Sequence, residues 1–443
     1  MRLSEVLKIV NGTLLNETKS NKKIKNIKFD SRKIENNDLY ICIIGKNKDG
    51  HDFIDDAIQN GAQAIIVSKN IECKYDIPII KVDDTLEALK FLASYKRQKF
   101  NGLVIAITGS VGKTTTKELI TSILKNNYKV INNEGNKNNI YGLSETILNL
   151  KDDTEVLVVE LGMNHKGEIE NLSKICKPNI SIITNIGSSH IGNLKSKKNI
   201  YKAKLEIIKG MNKGKLILNG DDKYLKKVKL KNDIQVIKCG INNGDLTCLN
   251  VKCLNNSIEF DVKINNKYES FKINLPGIHF INNALLAIIT ALNMKIDIND
   301  IKKALENYES YSRRYKIYKN ENITLIDDSY NSSYESLKAN LSTLNKDENK
   351  LLIIGDILEL GKKSKKIHKK IGKLLEIPNS LVFVVGSNMK ILSKKYMHFN
   401  NSEEVIEYLN NKNLSGYKIL VKGSNAIKLN SVSNYIKEKF DMN

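Results

Sequence analysis

Two glycines, a lysine and a run of threonines form the first constellation in this sequence that could do chemistry. Residues 107–116 read Ile-Thr-Gly-Ser-Val-Gly-Lys-Thr-Thr-Thr. Gly109 and Gly112 permit a tight turn that faces its N–H groups inward. Ser110, Val111 and Thr115 add backbone to the same cradle. Lys113 offers a point charge to β- and γ-phosphates, and the Thr114 hydroxyl is a candidate Mg2+ ligand. The full phosphate-loop pattern has glycine at its first position, where this chain has Ile107. The reading therefore rests on context. An apolar, β-branched run from Leu103 to Ile107 precedes the turn, and an amphipathic helix from Glu118 onward follows it.

Two further reactive side chains stand at the ends of similar apolar runs. Val156 to Val159 reads as a buried strand and ends in Glu160, a natural Mg2+ ligand beside a phosphate loop. Ile180 to Thr184 reads as the next strand and leads to His190. Tyr201 to Ile208 is a helical stretch carrying Lys202 and Lys204. The polar segment from Asn132 to Gly142 reads as a loop between two α/β units, where ligands sit at strand C-termini.

The 443-residue length exceeds one core, so two to four domains are expected, and the pattern along the chain divides it into three. Residues 1–85 read as a small α/β domain. Residues 86–310 form a central domain, opened by a connecting helix at 86–100. Residues 311–443 restart a strand–helix alternation that implies a doubly wound sheet. Residues 235–275 read as short antiparallel-type strands. The class is α/β, with a mostly parallel central sheet of the phosphate-loop ATPase type and a Rossmann-like C-terminal domain.

Composition narrows the partners. The formal net charge is +22, yet lysine is spread throughout and no basic block is interleaved with aromatics. Nucleic acid is therefore not expected, while anionic small substrates are. The longest apolar stretch, Ala284 to Leu292, is too short to span a bilayer, and no signal peptide is evident. The six cysteines (Cys42, Cys73, Cys176, Cys239, Cys248, Cys253) contain no C-x-x-C pair and read as free thiols of a cytoplasmic protein.

Taken together these motifs resemble the Mur ligase family of peptidoglycan precursor synthesis. The resemblance runs through the phosphate loop, Glu160, His190, Lys204, Gly277-x-His279, an arginine near 314 and Asp328. Within the family the chain looks most like the ligases that add D-alanyl-D-alanine. The carriers are Glu160 to Ile169, Asp327 to Asn331, Gly355 to Gly361 with His368, and Val421 to Ser424. The resemblance implies that UDP-MurNAc-tripeptide, D-Ala-D-Ala and ATP give UDP-MurNAc-pentapeptide, ADP and phosphate through an acyl phosphate.

It also implies roles. Thr114 and Glu160 would hold the magnesium of ATP. His190 and a CO2-carbamylated Lys204 would hold a second magnesium, and Lys113, His190 and Lys204 would be catalytic. Lys202 is the neighbouring candidate for carbamylation, but the spacing Lys-x-Glu-Ile favours Lys204. Asn283 would contact adenine. Arg314 (or Arg313), Asp328 and Asn331 would reach the nucleotide from the C-terminal domain. Ser31, Arg32, Gly45, Asp49, Gly50 and His51 would grip the UDP-sugar. Asn136, Asn138, Asn139, Asn164, His165, Asp356, Glu359 and Lys422 would face substrate. A monomer is expected.

Some positions depart from the family pattern: Phe280 where asparagine is common, Asn425 for arginine, Ser332-Ser333-Tyr334 for Ala-Asn-Pro, and Ile140 for an acid. None removes a phosphate or metal ligand, so an active enzyme is expected. The alternatives are another ligase of the superfamily, either tripeptide-forming or folylpolyglutamate-forming, or a non-catalytic nucleotide-binding relative.

Overall fold

A computed structural model describes residues 1–16, 22–72, 75–230, 233–254, 256–310, 313–344 and 348–442. Cys73 and residue 311, the expected start of the third domain, lie outside the described residues. Among the described residues three sheets form. The first has five strands, with Ala62–Val67 at its centre beside Asp38–Ile41 and Ile79–Lys81. The helix Thr85–Lys99 then leads into the central sheet. Asp84 starts this helix by accepting from the N–H groups of Leu86 and Glu87.

The central sheet has nine strands and positions the site. Toward one edge it runs Ile180–Ile183, Leu103–Thr108, Val156–Glu160 and, at the edge itself, Val130–Asn132, all parallel. The strands bearing Glu160 and leading to His190 thus flank the phosphate-loop strand on its two sides. Their residues are buried without alternation, because helices cover both faces of the sheet. The other flank continues through Gly214–Asn219, Ile234–Gly240 and the meander Leu246–Cys253, Ile258–Ile264, Lys267–Ile273. Of these, only the last three pair antiparallel, so Ile234–Gly240 joins the parallel part instead.

The third sheet has six strands in the order Lys316–Lys319, Thr324–Asp328, Tyr417–Lys422, Asn349–Gly355, Ser380–Val385, Met397–Phe399. Alternate residues enter two different cores. Leu352, Ile354 and Val384 pack toward the central domain, while Leu351, Ile353 and Phe383 pack under the helices Ser402–Asn410 and Asn430–Lys439. Strict period-two side-chain alternation makes this two-sided burial possible. The polar loop expected from Asn132 to Gly142 is shorter than read. A helix, Ile140–Leu148, begins inside it, because Asn139 accepts from Gly142 N and caps it.

Candidate active site

The phosphate loop is held open from below. Asn185, just past the Ile180–Ile183 strand, accepts from Val111 N at 3.0 Å and donates to Val111 O at 3.0 Å. Its own carbonyl accepts from Ser110 N. A Cβ on Gly109 would lie 1.8 Å from Thr184 Oγ1. Gly112 has φ +82° and opens the helix Lys113–Leu124, which aims its N-terminus into the cleft. Lys113 Nζ donates to Gly109 O at 3.0 Å and lies 3.9 Å from Glu160 Oε1.

Glu160 is buried at its strand tip. It accepts from Thr114 Oγ1 at 2.6 Å and from Asn138 Nδ2 at 2.8 Å. Burial alone would raise its pKa, but Lys113, Arg314 and these two hydrogen bonds hold it below the usual carboxylate range. Burial and the nearby Arg314 outweigh Glu160 at Lys113, whose pKa falls. Lys204 is buried on its helix while Lys202 is exposed. Burial, and then the charge of Lys113, push the Lys204 ammonium well below its ordinary pKa.

His190 stands in the left-handed region, at φ +60°. Its Nδ1 lies 2.5 Å from Glu359 Oε2. Glu359 comes from the third domain, and its carbonyl accepts from Gly192 N at 2.9 Å. From the same domain Arg314 lies over the Tyr330 ring, 3.9 Å from its centroid. Arg313 is engaged elsewhere, donating to Asn425 Oδ1 at 2.8 Å. Arg314 is therefore the arginine that lines the cleft. Asp328 accepts from Tyr315 N and Asn340 Nδ2, and it pairs with the buried Lys422, which also donates to Asn331 O.

The strand tips and these third-domain groups enclose a cleft of about 940 Å³. Residues Ser110 to Thr115, Asn136, Asn138, Asn139, Glu160, Asn164, His165, His190, Asn283, Arg314, Asp328, Asn331, Glu359 and Lys422 line it. Asp356 does not line it. It is buried and accepts from the N–H groups of Asn388 and Met389, so it braces the Gly355–Gly361 turn. Nor do Ser31, Arg32, Gly45, Asp49, Gly50 and His51, which lie in the N-terminal domain. There His51 bonds Asp49 at 2.6 Å and accepts from Ser68 N, while Arg32 grips Asp30 through two nitrogens. That domain reaches the cleft through Lys46, and the connecting helix reaches it through Leu86 and Lys90.

Sequence reasoning passed over Tyr330, which supports Arg314, and Asn185, which builds the phosphate loop. It also missed Glu335, which accepts from Ser188 Oγ at 2.6 Å and pairs with Lys197 across the domain boundary. Asn185 follows a strand that was read correctly, and that position was the available signal.

The donor set suits a hard cation. Thr114 and Glu160 present hydroxyl and carboxylate oxygens beside the phosphate loop.

The sequence matches the Mur ligase family catalytic domain over residues 23–97, the Mur ligase middle domain over 107–291 and the Mur ligase glutamate ligase domain over 313–425. The chain belongs to the Mur ligase family. A UDP-N-acetylmuramoyl-tripeptide--D-alanyl-D-alanine ligase of Rickettsia prowazekii is 36% identical over 428 residues, covering 92% of this chain and 94% of that one. The crystal structure of MurF from Acinetobacter baumannii superposes with a TM-score of 0.91 at 29% identity, covering 98% of each chain. MurF ligase from Thermotoga maritima, solved in complex with ADP, gives 0.85 at 27% identity, covering 94% of this chain and 98% of that one. The three-sheet plan is thus that of a Mur ligase.

Proposed function

We propose that this Mur ligase adds D-alanyl-D-alanine to UDP-N-acetylmuramoyl-tripeptide at the cost of ATP, through an acyl phosphate. The observation that carries the reading is the convergence of Lys113, Glu160 and His190 from three adjacent strand tips, faced by Arg314 and Glu359 from the third domain. Full-length similarity to D-alanyl-D-alanine-adding ligases narrows the substrates.

A carboxylate is a poor electrophile. In the first step its oxygen attacks the γ-phosphorus, the bond to the β-phosphate oxygen breaks, and ADP leaves. Lys113 and the loop N–H groups neutralise the equatorial charge that develops. Arg314, steadied by Tyr330, reaches the same space from the other side. In the second step the dipeptide amine attacks the acyl carbon, phosphate leaves, and the amine loses a proton. Thr114 and Glu160 would hold the magnesium of ATP, with His190 and carbamylated Lys204 at a second site. Magnesium there supplies positive charge that neutralises phosphoryl and carboxylate oxygens. Asn283, packed against Gly112, is the candidate adenine contact, and Phe280 stands where the family offers another polar group. Ser31, Arg32 and the 45–51 turn would hold the UDP moiety. No helix among the described residues is long and apolar enough to cross a membrane, consistent with a cytoplasmic enzyme.

The test is phosphate release in the presence of ATP and magnesium. Turnover should require both UDP-MurNAc-tripeptide and D-Ala-D-Ala, and Lys113→Ala should abolish it. Release dependent on a folate and glutamate, or binding of ATP without any release, would overturn the assignment.

A further inference from the structure

The ATP-site groups do not explain why Glu160 sits where it does. Asn133, 2% exposed, lies just past the strand Val130–Asn132, whose ladder to Val156–Glu160 ends at the pair Asn132 and Val158. The Asn133 side chain continues that ladder. Glu160 N donates to Asn133 Oδ1 at 2.8 Å, and Asn133 Nδ2 donates to Glu160 O at 2.9 Å. A carboxamide here does the work of a backbone peptide. The other edge of the strand is already pinned, because Glu160 pairs with Ile107. Asn133 Nδ2 also donates to Lys137 O at 2.8 Å, tying down the turn that presents Asn138 to the Glu160 carboxylate.

Asn133 is itself held. Lys117, one turn beyond Lys113 and fully buried, donates Nζ to the Asn133 carbonyl and lies 3.1 Å from Glu118 Oε1. A buried ammonium is costly unless satisfied, so this contact locks the loop to the phosphate-loop helix. The helix therefore meets Glu160 directly, through Thr114 and Lys113, and again through Lys117 and Asn133.

We propose that Asn133, anchored by Lys117, is a positioning residue that fixes Glu160 as a magnesium ligand. The proposal rests on the reading of Glu160 given above. Magnesium demands near-ideal octahedral geometry, so a ligand free to shift would bind it poorly.

The test uses Mn2+ as the probe and ADP as the nucleotide, with free Mn2+ followed by electron paramagnetic resonance. Asn133→Ala should weaken Mn2+ binding to the enzyme–ADP complex by roughly tenfold to a hundredfold. It should leave metal-free ADP affinity within about twofold, since the phosphate-loop contacts survive. Asn133→Asp keeps the size and the acceptor but loses the donor, and serves the same comparison if the alanine variant does not fold. Glu160→Gln separates the two readings. If it weakens Mn2+ binding while both Asn133 variants leave it unchanged, the positioning role is wrong. If metal-free ADP affinity falls in proportion, Asn133 only supports the loop, and the proposal also fails. If Glu160→Gln itself leaves Mn2+ binding unchanged, the assignment of Glu160 as a ligand falls first.

Discussion

His279 shows how far one side chain can be set by its surroundings. It opens the helix His279–Asn293, with Phe280 4.0 Å away between ring centroids and Tyr315 edge-on at 6.4 Å. Burial, opposed by Asp328 and aided by Lys422, pulls its pKa from 6.5 down to about 4. The unfolded chain therefore binds a proton between these values that the folded chain refuses. Stability contributed by the neutral ring is present above 6.5 and is lost as pH falls toward 4. The full shift corresponds to about 3 kcal/mol, and the ring's partial opening to the cleft reduces that. Denaturant titrations at pH 7 and pH 4.5 should show a drop of about 2 kcal/mol from this residue, and His279→Gln should flatten that leg. An unchanged pH slope in the variant would remove His279 from the account.

At the scale of elements, the phosphate loop depends on its neighbour strand as much as on its own glycines. Asn185 supplies three of the loop's hydrogen bonds. Asn185→Ala should raise the dissociation constant for ADP by roughly tenfold, since its two side-chain contacts of about 1 kcal/mol each are lost with partial relaxation, while its backbone carbonyl still accepts from Ser110 N. Isothermal titration against the unmodified protein measures this, and an unchanged affinity would show that the loop holds its shape alone. The same scale shows what the sequence could reveal. Leu103 to Ile107, Val156 to Val159 and Ile180 to Thr184 were legible because strands buried on both faces are uninterrupted apolar runs. The edge strands Lys316–Lys319 and Met397–Phe399 were not read, since short and half-exposed edges carry little apolar signal. Asp356 and His51 entered the expected site through the family resemblance alone. Only coordinates show that their hydrogen bonds are spent on their own backbone neighbourhoods, away from the cleft.

At the scale of the whole molecule, the site is complete only because the third domain sits against the second. Glu335, in the first turn of the helix Tyr334–Leu341, takes hydrogen bonds from Ser188 and Lys197, and Glu359 meets His190 nearby. Burial would raise the Glu335 pKa, but these donors bring it below the ordinary value. Glu335→Ala removes this tie without touching the phosphate loop. The radius of gyration from small-angle X-ray scattering should rise, and kcat/KM for the ligase reaction should fall by roughly tenfold, in line with one charge-assisted tie of about 1.5 kcal/mol. An unaltered scattering profile with unaltered kinetics would mean that other contacts hold the domains. This tie was beyond sequence reasoning, because Ser188, Lys197 and Glu335 share no motif or period and meet only across a domain boundary.

The claim that binds these scales is that the cleft transfers a phosphoryl group onto a carboxylate before the amine attacks. UDP-MurNAc-tripeptide labelled with 18O in the acceptor carboxylate, turned over with ATP and D-Ala-D-Ala, tests it most directly. One labelled oxygen should appear in the inorganic phosphate, as read by mass spectrometry. Phosphate free of label, or release of AMP and pyrophosphate in its place, would contradict the account.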